Sequence, residues 1–248
     1  MNKHMVLIML SLVSIIGLNS CMNSPKTVED DSNTAVTASE VLESLYPPAD
    51  LVIASHSEFT KQHYPQRIAE FKKNPLQLGD IVFLGNSITE EGGDWNEKIS
   101  RKNAKNRGIS GDTSEGVLAR MKEVTYFKPT QVFILIGIND LFNEKISGRE
   151  VFENILKIVE KLEKESPNTE IFVQTILPAN TASIVEKIKS TNEFIRLNAQ
   201  NEGYKIIDLH PLYIGSSDFM NMDYSYDGVH LNEKGYEIWV DTIKHLVK

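Results

Sequence analysis

The sequence predicts a three-layer α/β/α domain in which helices cover both faces of a parallel β-sheet. Apolar runs of strand length alternate along the chain with longer segments of helical periodicity, which is the order that parallel strands and crossover helices produce. The run "TQVFILIG" is apolar at successive positions, as expected for a strand buried on both faces. The 248 residues, 41% of them hydrophobic, suffice for one sizeable core.

The pattern predicts the individual elements in chain order. The expected strands are "LGDIVFLG", "NAKNRGI", "TQVFILIG", "TEIFVQTIL" and "YKIIDLH". Helices are expected in "SHSEFTKQHYPQRIAEFKKNP", broken or started near Pro65, and in "TSEGVLARMKEV" after an N-cap at Thr113 or Ser114. Further helices are expected in "GREVFENILKIVEKLEKES", over residues 181–201, and in "NEKGYEIWVDTIKHLVK" after the cap Asn232.

The amino-terminal segment is predicted to lie outside this fold. A basic start precedes an apolar run from Met5 to Leu18, which is too short for a comfortable membrane span and suits a secretory signal. Cys21, the only cysteine, follows at a place that resembles the lipobox of bacterial lipoproteins. The resemblance implies cleavage before Cys21 and its lipidation; a free thiol after an ordinary signal peptide is the alternative. The predicted organisation is a signal peptide (1–20), a polar flexible tether (21–39) and one globular domain (40–248).

The charge balance argues against one class of partner. The net charge is −8 and no block of basic residues occurs. Binding to nucleic acid depends on clustered Lys and Arg side chains that neutralise phosphates. A nucleic-acid partner is therefore not expected.

Five residues with the chemistry of acyl transfer follow predicted strands. Ser87 supplies a hydroxyl nucleophile, His230 a base, and Asp227 a carboxylate three residues earlier that can orient the imidazole. Gly111 allows close approach of a backbone N–H, and Asn139 offers a side-chain amide, so both can stabilise an oxyanion together with the N–H of Ser87. Functional groups gather beyond the carboxyl ends of parallel strands, which is where these residues are expected.

Each of these residues also has a purely structural interpretation. The structural role of Ser87 would be to cap the next helix, but Asn86 can also serve as that cap. Gly111 and Asn139 could simply belong to turns, and Asp227 and His230 could form a surface pair. No G-x-S-x-G motif is present, which disfavours an ordinary α/β-hydrolase.

Four blocks in order resemble the SGNH hydrolases, also called the GDSL esterase and lipase family. They are "FLGNSIT", "NRGISGDTS", "GIND" and "DGVHLN", which place the nucleophile on Ser87, oxyanion donors on Gly111 and Asn139, and the Asp-x-x-His pair on Asp227 and His230. The branch with platelet-activating-factor-acetylhydrolase-like enzymes and carbohydrate acetylesterases is the most similar. The family motif has Asp where this sequence has Asn86.

The resemblance implies a flavodoxin-like sheet of five parallel strands in the order 2-1-3-4-5. It also implies ester hydrolysis through an acyl-enzyme without metal or cofactor. By analogy the substrate is a small acyl ester, usually acetyl, on a carbohydrate. A lysophospholipase or thioesterase of the same mechanism is one alternative, and a catalytically silent binding lipoprotein is another.

Two further residues are candidates for substrate contact. Asn180 follows the fourth strand at the expected edge of the sheet. Trp95 could line an acyl or sugar pocket, although packing in the core is an equal alternative. The expected location is extracytoplasmic, with the protein anchored to a membrane through Cys21.

Overall fold

The computed structural model describes residues 37–248, and these residues contain a five-stranded, all-parallel sheet. The strands are β1 (Ile81–Gly85), β2 (Ala104–Gly108), β3 (Gln131–Leu135), β4 (Glu170–Gln174) and β5 (Lys205–Ile207). Their order is β2-β1-β3-β4-β5. This order confirms the predicted flavodoxin-like α/β fold.

Helices connect the strands and cover the sheet. They are α1 (Ala38–Ser44), α2 (Glu58–Lys73), α3 (Ser87–Glu90), α4 (Trp95–Ile99), α5 (Ser114–Ala119), α6 (Met121–Phe127), α7 (Ile138–Leu141), α8 (Gly148–Glu165), α9 (Ala182–Asn198), α10 (His210–Tyr213) and α11 (Glu233–Ile243). Residues Ser216–Asp218 form a short 3₁₀ turn. None of the helices in residues 37–248 has the length and apolar content needed to cross a membrane.

Side chains of alternate strand residues point to opposite faces and build two cores. Val82 and Leu84 pack with apolar residues of α5, α6, α8 and α9. Ile81 and Phe83 pack with α3, α4 and α11. Every residue of β1 and β3 is buried, as expected for the central strands of a sheet covered on both faces.

A row of aromatic rings crosses the second of these cores. Phe83, Phe133 and Phe172 lie in register on β1, β3 and β4, and their rings stack with centroids 5.0 and 4.6 Å apart. Trp95 continues the row, since its ring lies 3.9 Å from that of Phe83 and nearly parallel to it. The row anchors α4 to the sheet.

Two helix predictions differ from the structure. Helix α2 continues through Pro65, from Glu58 to Lys73. The proline removes one backbone hydrogen bond, and the burial of Tyr64, Ile68 and Phe71 on one face of the helix offsets that cost. The segment predicted as one helix after Thr113 is divided at Arg120, whose φ of −111° and ψ of 18° end α5 before α6 begins. Of the two predicted caps, Thr113 is the N-cap of α5 and Ser114 is its first residue.

The in-register pairing brings three strand ends to one place. Gly85, the last residue of β1, lies between Gly108 of β2 and the end of β3 at Leu135. A Cβ atom on Gly85 would lie 2.3 Å from the carbonyl oxygen of Leu135, so only glycine fits there. The loops that follow these strands therefore share the carboxyl edge of the sheet.

Candidate active site

The local structure around Ser87 places its hydroxyl at the start of a short helix. Ser87 is the first residue of α3, so its N–H has no acceptor within the helix. Asn86 is the N-cap, and its Oδ1 accepts a hydrogen bond from the N–H of Ile88 at 3.1 Å. Asn86, not Ser87, therefore performs the capping, which leaves the Ser87 hydroxyl available.

His230 links Ser87 to Asp227. Its Nε2 lies 2.9 Å from the Ser87 Oγ, and its Nδ1 lies 2.7 Å from the Asp227 Oδ2. Nδ1 carries the proton that the carboxylate accepts, so Nε2 is left to accept from the Ser87 hydroxyl. The chain of contacts is that of a serine nucleophile, its base and an orienting carboxylate.

A tight turn holds the Asp227 carboxylate beneath the imidazole. Asp227 Oδ1 accepts from the backbone N–H groups of Val229 and His230 at 2.9 and 2.7 Å. Partial burial raises the pKa of Asp227, but the hydrogen bonds from His230 and Val229 outweigh burial and lower it. The carboxylate is therefore held in its ionised, accepting form.

The two residues predicted as oxyanion donors, Gly111 and Asn139, occupy constrained positions after β2 and β3. Gly111 has φ +78°, and a Cβ there would lie 2.1 Å from the Thr60 Oγ1, so the position requires glycine. Asn139, in α7, donates one amide proton to the carbonyl oxygen of Asp112 at 2.9 Å. That bond fixes the amide and leaves its second proton free to bind another acceptor.

Asp140 has a structural role beside Asn139. Its carboxylate accepts hydrogen bonds from the N–H of Ser114 at 3.0 Å and from the Ser114 hydroxyl. Burial raises the pKa of Asp140 to about 6, and the bonds from Ser114 oppose this increase. The contact joins α7 to the start of α5 and occupies Ser114, a second serine at this edge of the sheet.

A buried ion pair that the sequence did not reveal supports the loop after β2. Asp112 is fully buried; its Oδ2 accepts from Arg120 Nε at 3.0 Å, and its Oδ1 lies 3.0 Å from His56 Nε2. Arg120 also donates to the carbonyl oxygen of Gly85 at 3.0 Å. The guanidinium thus ties the end of β1 to the loop that carries Gly111.

A second cluster that sequence reasoning missed connects α3 to the same loop. The Glu90 carboxylate accepts from both the N–H and the hydroxyl of Ser110, at 2.5 and 2.8 Å. Arg67 Nε lies 3.1 Å from it and His63 Nε2 lies 3.0 Å from it. In the sequence this cluster is marked only by the acidic pair Glu90 and Glu91 after "SIT". That pair does not indicate a contact with Ser110, which lies 20 residues further along the chain.

The two predicted substrate-contact residues have different locations. Trp95 is 1% exposed, stacks on Phe83, and donates from Nε1 to the carbonyl oxygen of Thr89. The structure favours core packing for Trp95, because the stacked aromatic row buries the ring, and its contact with a substrate stays a prediction.

Asn180 lies beside the loop that carries the base. Its backbone N–H donates to the carbonyl oxygen of Gly228 at 2.8 Å, between Asp227 and His230 in the chain. Its side chain is exposed and lines a cavity of about 610 Å³. Other residues that line the cavity are Phe219, Met220, Asn221 and Met222. The structure thus places Asn180 next to the loop of His230, and its contact with a substrate stays a prediction.

The predicted lipidation site Cys21, the signal peptide and most of the tether lie outside the described residues. Helix α1 begins at Ala38, two residues before the predicted start of the globular domain. Its N-cap Thr37 and Glu40 form a reciprocal capping box. Within residues 37–248, no group of three or more His, Cys, Asp and Glu side chains could hold a metal ion.

The sequence matches the model of the GDSL-like lipase/acylhydrolase family over residues 83–238. Platelet-activating factor acetylhydrolase IB subunit alpha1 of Rattus norvegicus is 29% identical over 167 residues, which cover 63% of this chain and 70% of that protein. A GDSL-like lipase from Bacteroides thetaiotaomicron has a crystal structure that matches with a TM-score of 0.65 and 26% identity. The match covers 73% of this chain and 95% of that one.

A more distant structure shares the fold. A carbohydrate esterase family 3 protein from Talaromyces cellulolyticus matches with a TM-score of 0.53 at 18% identity, covering 68% of this chain and 96% of that one.

The fold and the serine-centred site define a class of hydrolases with a nucleophile at the carboxyl edge of a parallel sheet. The chain belongs to the GDSL-like lipase/acylhydrolase family, since the family model spans well over half of it. It is an ester hydrolase, as its relatives in this family are. The resemblance inferred from the four sequence blocks is confirmed.

Proposed function

We propose that the protein hydrolyses small acyl esters, acetyl esters foremost, on carbohydrates, with Ser87, His230 and Asp227 as its catalytic triad. The observation that carries the proposal is the continuous contact from Asp227 Oδ2 through the imidazole to the Ser87 Oγ, at 2.7 and 2.9 Å. Each distance is that of a hydrogen bond in a base-activated nucleophile.

The reaction proceeds in two stages. His230 Nε2 takes the Ser87 proton as the Oγ attacks the ester carbonyl, and the resulting imidazolium protonates the leaving alcohol. Water then attacks the acyl-enzyme, with His230 again as the base and Ser87 as the leaving group. Asp227 holds the imidazole in one tautomer throughout.

The oxyanion of each tetrahedral intermediate is bound by three donors. These are the N–H groups of Ser87 and Gly111 and the side-chain amide of Asn139. The helical position of Ser87, the φ of +78° at Gly111 and the bond from Asn139 to Asp112 support these assignments. Losing one such donor typically costs about 3–4 kcal/mol of transition-state stabilisation.

Two observations favour an acetylated carbohydrate as the substrate. The acetyl group is favoured by the similarity to an acetylhydrolase subunit. A hydroxyl-rich alcohol is favoured by the polar side chains of Asn180, Ser216 and Asn221 on the cavity beside Gly228. Amides and hydroxyls of this kind can exchange hydrogen bonds with the hydroxyls of a sugar.

The decisive experiment compares the full-length protein with Ser87→Ala and with Ser183→Ala, which alters an exposed serine of α9. The substrates are p-nitrophenyl acetate, p-nitrophenyl octanoate, an O-acetylated sugar and a lysophospholipid. We expect acetyl esters to be hydrolysed fastest, Ser183→Ala to match the wild type, and Ser87→Ala to lose at least about 10³-fold in kcat/KM.

Each alternative has its own outcome. Faster hydrolysis of the lysophospholipid or the octanoate supports a lysophospholipase or thioesterase of the same mechanism. Binding of an acetylated sugar without turnover supports a silent binding protein. Hydrolysis that survives Ser87→Ala overturns the proposed triad.

We also propose that the protein is an extracytoplasmic lipoprotein anchored to a membrane through Cys21. The support is the sequence alone: the apolar run before the single cysteine and the polar residues after it. The full-length protein is expected in the membrane fraction of a bacterial host, and Cys21→Ser is expected in the soluble fraction. Unchanged membrane association of Cys21→Ser would show that the anchor is misassigned.

A further inference from the structure

A second carboxylate faces the imidazole of His230 from the side of Ser87. Glu91 follows α3 directly, and its backbone N–H donates to the carbonyl oxygen of Ser87 at 2.8 Å. Its Oε1 lies 3.8 Å from His230 Nε2, the same nitrogen that contacts the Ser87 Oγ. His230 therefore has a carboxylate on each ring nitrogen: Asp227 at Nδ1 and Glu91 near Nε2.

Tyr226 holds the Glu91 side chain in this position. Its hydroxyl donates to Glu91 Oε2 at 2.9 Å, and its ring stacks on the imidazole of His230 at a centroid distance of 5.8 Å. Partial burial, and then the bond to Glu91, raise the pKa of Tyr226 to about 12. The phenol therefore remains a donor to Glu91 across the neutral range.

In the part of the chain that the structure describes, no permanently charged side chain neutralises Glu91. No Lys or Arg side chain within residues 37–248 forms an ion pair with it, whereas the adjacent Glu90 is paired with Arg67. The Glu91 side chain is 36% exposed. The carboxylate thus faces the solvent side of the site and is open to an incoming substrate.

The position of Glu91 matters for one part of the substrate. His230 Nε2 delivers the proton to the leaving alcohol, so the alcohol oxygen must come within hydrogen-bonding reach of that nitrogen. Glu91 Oε1 lies 3.8 Å from that nitrogen, so a charge on the alcohol two or three bonds from the ester oxygen lies at most roughly 10 Å from Glu91, counting one hydrogen bond and the short chain. At that distance and at partial exposure, two unit charges interact by enough to change a rate constant about tenfold.

We infer that Glu91 selects the alcohol part of the ester by charge, accepting neutral and cationic alcohols and rejecting those that carry a carboxylate, sulfate or phosphate near the ester bond. This inference rests on the proposed function, because it takes His230 as the proton donor to the leaving group. It assigns Glu91 a role in specificity that neither the triad nor the oxyanion donors supply.

Three acetate esters of nearly equal shape test the inference. Acetylcholine carries a cation, 3,3-dimethylbutyl acetate is its neutral analogue, and 2-acetoxyethanesulfonate carries an anion at the same distance from the ester oxygen. The kcat/KM of each is measured for the full-length wild type, Glu91→Gln and Glu160→Gln. The last is the matched control, because Glu160 is exposed on α8 and its loss changes the net charge equally.

Glu91→Gln is expected to raise the anionic-to-neutral ratio of kcat/KM about tenfold and to lower the cationic-to-neutral ratio by a similar factor. Glu91→Asp keeps the charge and should retain the wild-type ratios, while Tyr226→Phe should fall between. Salt at 1 M should compress the ratios of the wild type towards those of Glu91→Gln.

Two results would overturn the inference. One is that the ratios are the same in Glu91→Gln and the wild type, even if all three rates fall together. The other is that Glu160→Gln changes the ratios as much as Glu91→Gln does. Failure of the proposed function has a different signature, namely that Ser87→Ala still hydrolyses the three esters.

Discussion

Glu90 accepts hydrogen bonds from both the backbone N–H and the hydroxyl of Ser110, so the helix that begins with Ser87 is bonded to the loop that precedes Gly111. These bonds fix the position of Ser87 relative to Gly111, the proposed oxyanion donor. Glu90 is a positioning residue under this interpretation, because it acts through Ser110 and does not contact the reacting atoms.

Glu90→Gln is expected to lower kcat by about tenfold to a hundredfold, roughly 1.4–2.7 kcal/mol, while KM changes little. The neutral amide keeps one acceptor but weakens the charge-assisted bonds from Ser110 and Arg67. Steady-state kinetics on p-nitrophenyl acetate provide the measurement. Glu70→Gln, which removes the other carboxylate paired with Arg67, is the control and should retain kcat. Equal losses in both variants would assign the effect to Arg67.

Asn139→Ala is expected to lower kcat by about 10²–10³-fold, with a much smaller change in KM. The variant removes a donor that is used only when the oxyanion forms, so the loss belongs to the transition state. Asn154→Ala is a suitable control, because its amide bonds the Ser114 hydroxyl and not the loop of Asp112. A KM effect as large as the kcat effect would show that Asn139 binds the substrate in its ground state.

Asn86→Asp is expected to keep kcat/KM within about tenfold, roughly 1.4 kcal/mol, and to shift its pH profile. The carboxylate keeps the acceptor for the Ile88 N–H but adds a negative charge beside Ser87. The midpoint of thermal unfolding should also fall, because Asn86 is only 1% exposed and a buried charge is costly. A far larger loss of activity at an unchanged unfolding midpoint would show that the Asn86 amide has a catalytic role.

Asp140→Asn is expected to change how stability depends on pH. The pKa of Asp140 is raised from 3.8 to about 6, so its contribution to stability is fully present below about pH 4 and is lost as the pH rises through about 6. The total loss in the wild type is roughly 2–3 kcal/mol. Urea unfolding of the wild type and Asp140→Asn between pH 4 and 7 measures the difference, which should shift in favour of the variant with rising pH.

Asp50→Asn, which alters an exposed carboxylate, should show no such change relative to the wild type. A difference between the wild type and Asp140→Asn that stays constant from pH 4 to 7 would contradict the shift at Asp140.

The sheet and the triad candidates could be predicted because each depends on short-range patterns. Strand periodicity and alternation with helices define the fold class. Asp227 and His230 are three residues apart, so their contact follows from one turn. Ser87, Gly111 and Asn139 each follow a strand, and the order of parallel strands places those strand ends side by side.

The remaining contacts depend on loop conformations that periodicity does not encode. Glu91 and Tyr226 are 135 residues apart, and their contact exists only because the loop before α11 lies over α3. Trp95 and Asn180 were both candidates for substrate contact from the sequence. The Trp95 ring packs onto Phe83, whereas the Asn180 side chain is exposed. Which way a loop side chain points is decided by tertiary packing, which the sequence pattern does not specify.

The two consecutive glutamates after Ser87 have a consequence for protein engineering. Neighbouring residues of a helix are rotated by about 100° about its axis, which is why Glu90 meets the loop of Ser110 while Glu91 meets Tyr226. Insertion or deletion of one residue in "SITE" would rotate both carboxylates by about 100°, away from the sides that they face now. A grafted segment that alters the selectivity of this enzyme must therefore keep the number of residues between Ser87 and the acidic pair, whatever residues it contains.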